Sequence, residues 1–253
     1  MKEYRFEYLS SDEVEEYAKS GKPLLIPIGS VEQHGPHLPV GTDTIIAYEI
    51  ALKVAKEIDA IVAPPIYYGN SMSMVGMYGT LSVSPQTLSA YILDLCKSAS
   101  EIGFKRIIFI NGHGGNVEAF DIIGHIARCM NLTIIRIDWW IIASQEISEI
   151  VGKIAHADEG ETSVMLAVKP ELVKMEKAVK DSKAREVYEK LTSGKPRNMP
   201  KIYVHFKTWT KTGVIGDATK ATKEKGDRIV DAVVKNIVNF LKNLDKVSLE
   251  LSP

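Results

Sequence analysis

The segment Gly29-Ser-Val-Glu32-Gln-His34-Gly-Pro-His37-Leu-Pro-Val-Gly-Thr-Asp43 carries two carboxylates and two imidazoles on one irregular stretch of backbone. Carboxylate oxygens and imidazole nitrogens together suit Zn²⁺, Mn²⁺ or Fe²⁺. The competing reading is a polar loop whose histidines are simply solvated. A second segment, Asn111-Gly112-His113-Gly114-Gly115-Asn116, sets one imidazole in a glycine-rich turn. It reads as a further ligand, as a phosphate-binding turn using backbone N–H groups, or as a tight turn in which His113 is incidental. A third, His156-Ala-Asp158-Glu159-Gly-Glu161, gathers four ionisable side chains at a helix start. Complementing the helix dipole accounts for Asp158 and Glu159, and leaves His156 and Glu161 as site candidates. His125, among isoleucines, and His205, in an alternating run, read as structural. The Met-, Tyr-, Gly- and Ser-containing stretch Tyr67–Thr80 is either a substrate-covering loop or a surface connection; Tyr78 within it is a candidate substrate contact.

The elements that position these residues alternate between strands and helices. Ser10-x-x-Glu13 is a capping box that opens a first helix, stopped by Gly21. Residues 24–28 read as a buried strand, with Pro27 arguing against a central place in a sheet. Residues 44–57 read as a helix and 61–63 as a short strand. Ser84-Pro85 caps a helix ending near Gly103. A strand over 106–110, a helix over 116–130 and a strand over 133–137 follow. Strands separated by helices imply right-handed crossovers and a mainly parallel sheet. In the second half, helices are expected over 159–168, 171–191 and 226–244, a loop over 193–196 and a strand over 203–209. No repeat or long linker divides residues 1–253, which read as a single α/β domain.

Thirty-one Lys+Arg against 32 Asp+Glu leave a net charge of -1, giving no general attraction to nucleic acid or an anionic membrane. The chain is 45% hydrophobic and 25% charged, which excludes dominant disorder. Two cysteines, Cys96 and Cys129, make no disulfide framework and suit a reducing, cytoplasmic setting. No apolar run approaches the roughly 20 residues of a membrane-spanning helix.

In Gly29–Pro39 with Asp43, Asn111–Asn116, His156–Ser163 and Thr212–Gly226, taken in order, the chain resembles the creatininase family of metal-dependent amidohydrolases. That resemblance implies a three-layer α/β/α fold, two divalent metal ions per subunit (Zn, Fe or Mn) and a homo-oligomer, often a hexamer. By motif position it implies that Glu32 and His113 hold one metal and His34 the other, with Asp43 bridging. His156 matches a substrate-binding, proton-handling histidine, and Glu161 falls at an acidic position five residues on. Some family members deformylate a formylaminopyrimidine nucleotide.

Creatinine-cleaving members carry a Tyr-Glu pair where this chain has Gly114 and Gly115, and a Trp at Gly152. The pocket is therefore expected to be wide and glycine-lined, with Gly114, Gly115 and Tyr78 against the substrate. The function expected is hydrolysis of a non-peptide amide or formamide bond in a small molecule, by attack of a metal-bridging hydroxide, with His156 as general acid and Glu161 either completing the second metal's shell or shuttling the proton. A nucleotide deformylase is one form of this. The alternatives are creatinine hydrolysis itself, a non-catalytic phosphate- or nucleotide-binding module built on Gly112–Asn116, and a structural subunit.

Overall fold

Residues Leu24–Ile28 form β1, apolar and buried at every position, as in a strand covered on both faces. It lies inside the sheet in a computed structural model that describes residues 2–127, 132–192 and 202–247. Beside it run β2 (Ile61–Val62) and β3 (Arg106–Asn111), with β4 (Thr133–Asp138) beyond β3. All four strands are parallel. Helix α2 (Thr42–Ile58) leads from β1 to β2, α3 (Pro85–Glu101) from β2 to β3, and α4 (Val117–Ala127) from β3 to β4. The chain thus leaves β1 towards one sheet edge and β3 towards the other. The crevice between them is a topological switch point, where doubly wound sheets bind ligands.

Alternate side chains of the sheet feed two cores. Leu25, Ile108, Ile110 and Ile137 pack with Ile46 and Ile50 of α2 and with two later helices, α7 (Glu159–Val168) and α9 (Lys223–Leu244). Leu24, Ile26, Ile107 and Phe109 pack on the other face with α3, α4 and α1 (Ser11–Lys19). Helices on both faces make a three-layer α/β/α arrangement around a parallel sheet, as the sequence implied. Pro27 is nevertheless central. Its carbonyl accepts from Ile66 N at 2.9 Å, so it faces the side where β2 has already ended and its missing N–H interrupts no ladder.

Local signals near helix starts hold well. Ser10 and Glu13 form the reciprocal capping box, and Ser84 caps α3 through Thr87 N. The second half departs further from expectation. Residues 203–209 form no strand, because among the described residues none lies beside them; they hold a 3₁₀ turn at Phe206–Thr208, capped by His205. The helix expected over 171–191 is shortened to α8 (Lys183–Thr192), preceded by 3₁₀ turns and by β5 (Lys180–Asp181), which pairs antiparallel with β6 (Gly216–Asp217). Two unexpected helices, α5 (Trp139–Ile142) and α6 (Ser144–Val151), follow β4. The sequence pattern assigns no element to residues 139–151. Cys96 is buried in α3; Cys129, the end of the helix expected over 116–130 and the loop at 193–196 lie outside the described residues. Among those residues no helix is long and apolar enough to cross a membrane.

The strand ends are bound together by two buried asparagines. Asn116 Nδ2 donates to Gly29 O at 2.9 Å and to Asn111 Oδ1 at 3.2 Å, and Asn116 Oδ1 accepts from Asn70 N at 3.0 Å. Asn111 Nδ2 donates to Asp138 Oδ1 at 2.8 Å and to His113 O at 2.9 Å. The loops after β1, β2, β3 and β4 are therefore joined through amide side chains. Replacing Asn116 by Ala strands Gly29 O and Asn70 N, each buried donor or acceptor costing about 1–3 kcal/mol. Asn116→Ala is expected to lower the urea midpoint by an amount equivalent to roughly 2–4 kcal/mol with an unchanged slope. An unchanged midpoint would show that the strand ends are held some other way.

Candidate metal centre

The β1 loop delivers Glu32 and His34, and the first turn of α2 supplies Asp43, where the helix dipole favours a carboxylate. The loop after β3 brings His113, and the start of α7 brings His156 and Glu161. Asp43 Oδ1 lies 3.0 Å from His34 Nε2, and Asp43 Oδ2 lies 3.0 Å from His113 Nδ1. Ser30 Oγ donates to Oδ2 at 2.8 Å. Glu32 Oε2 is 3.4 Å from His113 Nε2, and Glu32 Oε1 is 3.5 Å from His156 Nδ1. Glu161 Oε2 is 3.6 Å from His34 Nε2. Three donor sets emerge, each with ligand atoms within 4.8 Å of one another: Glu32, Asp43 and His113; His34, Asp43 and Glu161; and Glu32, His34 and His156. Asp43 belongs to the first two and turns a different oxygen to each histidine.

The outer nitrogen of each imidazole fixes its orientation. His34 Nδ1 lies 3.2 Å from Glu32 O, and His113 Nε2 lies 2.9 Å from Asn70 O. A carbonyl only accepts, so these nitrogens donate, and the opposite ones, His34 Nε2 and His113 Nδ1, face Asp43, the arrangement by which proteins orient ligating histidines. Glu32 Oε2 and His34 Nε2 are buried without hydrogen-bond partners. Divalent cations among these donors would satisfy both atoms, so the donor set fits them.

Burial works against charge on His34, yet Asp43, Glu161 and Glu32 around it raise its pKa to about 10. Burial likewise opposes charge on His113, and Glu32 with Asp43 raises it to about 9. Burial, with Asp43 and Asp158 nearby, pushes Glu161 up to about 8. Protons and divalent cations compete for these atoms. His156 is different: burial and the neighbouring His34 drive its pKa well below the usual imidazole value. Its Nε2 lies 2.8 Å from Gln33 O and 2.9 Å from Gln33 Nε2, so Nδ1 faces the cluster. Its ring packs edge-on against Phe206 at 4.9 Å between centroids.

The turn carrying His156 and Glu161 is held in an unusual backbone. Ala157 sits at φ 51°, a left-handed conformation costly for a residue with a Cβ, and its N–H donates to Glu161 Oε2 at 2.5 Å. Asp158 caps α7 through Gly160 N and Glu161 N, and Glu159 pairs with Lys225 at 2.6 Å. These two acidic residues are structural, as the dipole argument expected.

The cluster forms the floor of a cavity of about 270 Å³, walled by Met74, Trp140, Ile154 and Phe206. Gly114 lines it, but Gly115 does not. A Cβ on Gly115 would lie 2.0 Å from Asn70 O and 2.6 Å from His113 Nε2, so that glycine serves close packing behind the histidine. Tyr78 is fully exposed and outside the cavity lining. The wide, glycine-lined pocket is therefore replaced by a small one with apolar walls. The phosphate-turn alternative also weakens, because Gly112 N, His113 N and Asn116 N are committed to Ile28 O, Asn111 Oδ1 and His113 O. His37 joins none of the donor sets: its Nε2 meets Thr162 Oγ1 at 2.8 Å. His205 caps its 3₁₀ turn away from the cluster, and the side chain of His125 lies outside what is described.

Sequence reading missed the walls. Trp140 was accessible to it, since the Asp138-Trp-Trp run ends a strand at the ligand-binding edge of the sheet. Phe206 was hidden inside an alternating pattern that suggested a strand. Gln33 lay within the first motif without a role, and the strained Ala157 leaves no signal in sequence.

The family model described as "Creatininase: Creatinine amidohydrolase" matches residues 7–241. A mycofactocin precursor peptide peptidase of Mycolicibacterium smegmatis is 34% identical over 227 residues, covering 87% of this chain and 84% of that protein. A 2-amino-5-formylamino-6-ribosylaminopyrimidin-4(3H)-one 5'-monophosphate deformylase of Methanothermus fervidus is 28% identical, covering 87% and 83%. A crystal structure of creatinine amidohydrolase superposes with a TM-score of 0.82 at 23% identity, covering 98% of this chain and 100% of that one. Other creatininase structures of this fold are described as manganese and zinc–zinc forms. On the family match and the 34% relative together, the chain belongs to the creatininase family of amidohydrolases.

Proposed function

We propose that the chain hydrolyses a C–N amide bond at a centre for two divalent cations, zinc, manganese or iron. The observation that carries this reading is Asp43, with one oxygen 3.0 Å from His34 and the other 3.0 Å from His113. Glu32, His113 and Asp43 would hold one ion, and His34, Glu161 and Asp43 the other. When bound, such ions supply a water acidic enough to attack at neutral pH and polarise the amide carbonyl.

The chain's own part is placement and proton handling. His156, kept neutral and held from behind by Gln33, takes a proton at Nδ1 and returns it to the departing nitrogen, which leaves only when protonated. Phe206 and His34 fix its ring from two sides. Met74, Trp140, Ile154 and Phe206 restrict water around the reacting group.

Among the described residues, no lysine or arginine lines the cavity, which favours an uncharged amide over a nucleotide phosphate inside it. Trp140 and Phe206 supply aromatic faces in place of those absent at Gly114 and Gly152, so small cyclic amides stay within range. A relative named as a peptidase supports keeping peptide bonds in range as well, beyond the non-peptide bonds expected from sequence.

Asp43→Ala should strip both ions and lower amide turnover by at least about 10³-fold, since it removes the shared ligand, while thermal unfolding stays cooperative. Elemental analysis showing about two ions per chain in the variant, with turnover intact, would overturn the assignment.

Cation binding must displace protons from His34, His113 and Glu161, whose pKa values lie at about 10, 9 and 8. Apparent zinc affinity should therefore rise steadily as pH climbs from about 6 to 8. Titration calorimetry in buffers of different ionisation enthalpy checks this, and a flat profile with no proton release counts against these ligands.

His156→Ala should keep both ions and lower the rate by roughly 10²–10⁴. If excess metal restores the variant, His156 is a ligand; if only thermal stability falls, it is structural.

A further inference from the structure

From Ala60 to Leu93 the chain holds no charged residue and no histidine, although a quarter of the whole sequence is charged. Burial does not account for this. Tyr67, Tyr68, Met72, Val75, Tyr78 and Leu81 are all exposed. Exposed apolar surface on this scale marks a contact site, and tyrosine and methionine without charge are what the centres of such contacts contain.

Its position says what is contacted. Met74, between exposed Met72 and Val75, lines the cavity, and so does Phe206, two residues after exposed Val204. The two segments are joined where His205 Nε2 donates to Val75 O at 2.9 Å. The apolar face thus begins at the cavity's own walls and runs outward. It is also held in place before anything docks: Gln33 N donates to Thr80 Oγ1 at 3.1 Å, Ser71 N to Ser82 Oγ at 2.8 Å, and Leu81 N to Val31 O at 2.9 Å. Such preorganisation lowers the ordering cost of binding. The cavity, at about 270 Å³, takes only the group next to the scissile bond. Because the face is continuous with the cavity walls, a substrate lying along it is led into the cavity.

We infer that residues 67–83 with 202–206 dock the remainder of the substrate, an extended, uncharged apolar chain of peptide type whose amide enters the cavity. This rests on the amide-hydrolysing reading for the bond that is cut, but not for the docking itself.

The probe is a blocked tetrapeptide amide of valine, leucine and phenylalanine, compared with one containing glutamate and lysine. Both are titrated calorimetrically into the zinc-loaded full chain, and acetamide turnover is followed in parallel. The apolar peptide should bind more tightly. The double variant Met72→Glu, Tyr203→Glu should weaken it about tenfold, the worth of one partly buried side chain, and leave acetamide turnover unchanged. Val75→Ser, a milder change, should act in the same direction, which guards against misfolding. Equal affinity for the two peptides, or an affinity untouched by these variants, overturns the proposal. So does sedimentation showing that the charges split an oligomer while peptide affinity stays the same, since a second copy would then be the occupant. Peptide binding without turnover of any amide would remove the hydrolase reading and leave the docking surface standing.

Discussion

Three carboxylates, those of Glu32, Asp43 and Glu161, are buried within reach of one another at the end of the sheet. Taking one ion out of water costs several kcal/mol even after relaxation, and placing like charges together adds to that. The arrangement persists only because His34 and His113 stand between the carboxylates and carry balancing positive charge, as protons or by holding cations. Asp43 shows how finely this is resolved: its pKa is lowered despite complete burial, because an imidazole faces each oxygen. Glu161, with one imidazole at 3.6 Å and acidic neighbours, is raised instead. The same fold thus separates the two carboxylates, Asp43 with a close imidazole at each oxygen staying ionised and the buried Glu161 being pushed towards its protonated form.

Such a cluster needs a scaffold that does not relax away from it. The switch point brings the β1 and β3 loops side by side, and the Asn111–Asn116 pair locks them. Backbones approach so closely here that side chains are excluded: a Cβ on Gly112 would lie 2.1 Å from Asp43 O. The glycines around His113 therefore serve the placement of Asp43 and His113, and an open pocket is not their purpose. The strain at Ala157 belongs to the same scheme, since that conformation aims its N–H at Glu161 and lets His156 point back to Glu32.

How far the sequence shows these features depends on the range of the interaction behind each. The parallel sheet and the starts of α1 and α3 were legible because strand hydrophobicity and capping act within a few residues. The six ionisable residues that the structure gathers stood out in the sequence because each sits in a loop just past a strand or at a helix start, with glycines marking close approach. Residues 203–209 misled because alternation means a strand only when a partner strand is present, and that is a tertiary fact. The cavity walls were opaque for the same reason. Phe206 lies fifty residues from His156, and only packing sets the two rings edge to edge. Pro27 was judged by its residue type, and its tolerance depends on where a neighbouring strand happens to stop.

The apolar walls and the buried charge depend on each other. In a low-dielectric surround, the field of an ion or an oriented N–H acts more strongly on a reacting carbonyl than it would in water. Met74, Trp140, Ile154 and Phe206 create that surround directly over Glu32, Asp43 and His113. The same surround penalises any further uncompensated charge brought in by a substrate, because among the described residues no lysine or arginine stands in the lining to meet it. In the proposed reaction a neutral amide would enter without that penalty, and would develop charge only where its carbonyl oxygen approaches the cluster and its nitrogen approaches His156. Under the proposed function, selection for neutral amides and stabilisation of their transition state would both follow from one physical feature, an apolar rim around a concentrated set of carboxylates and imidazoles.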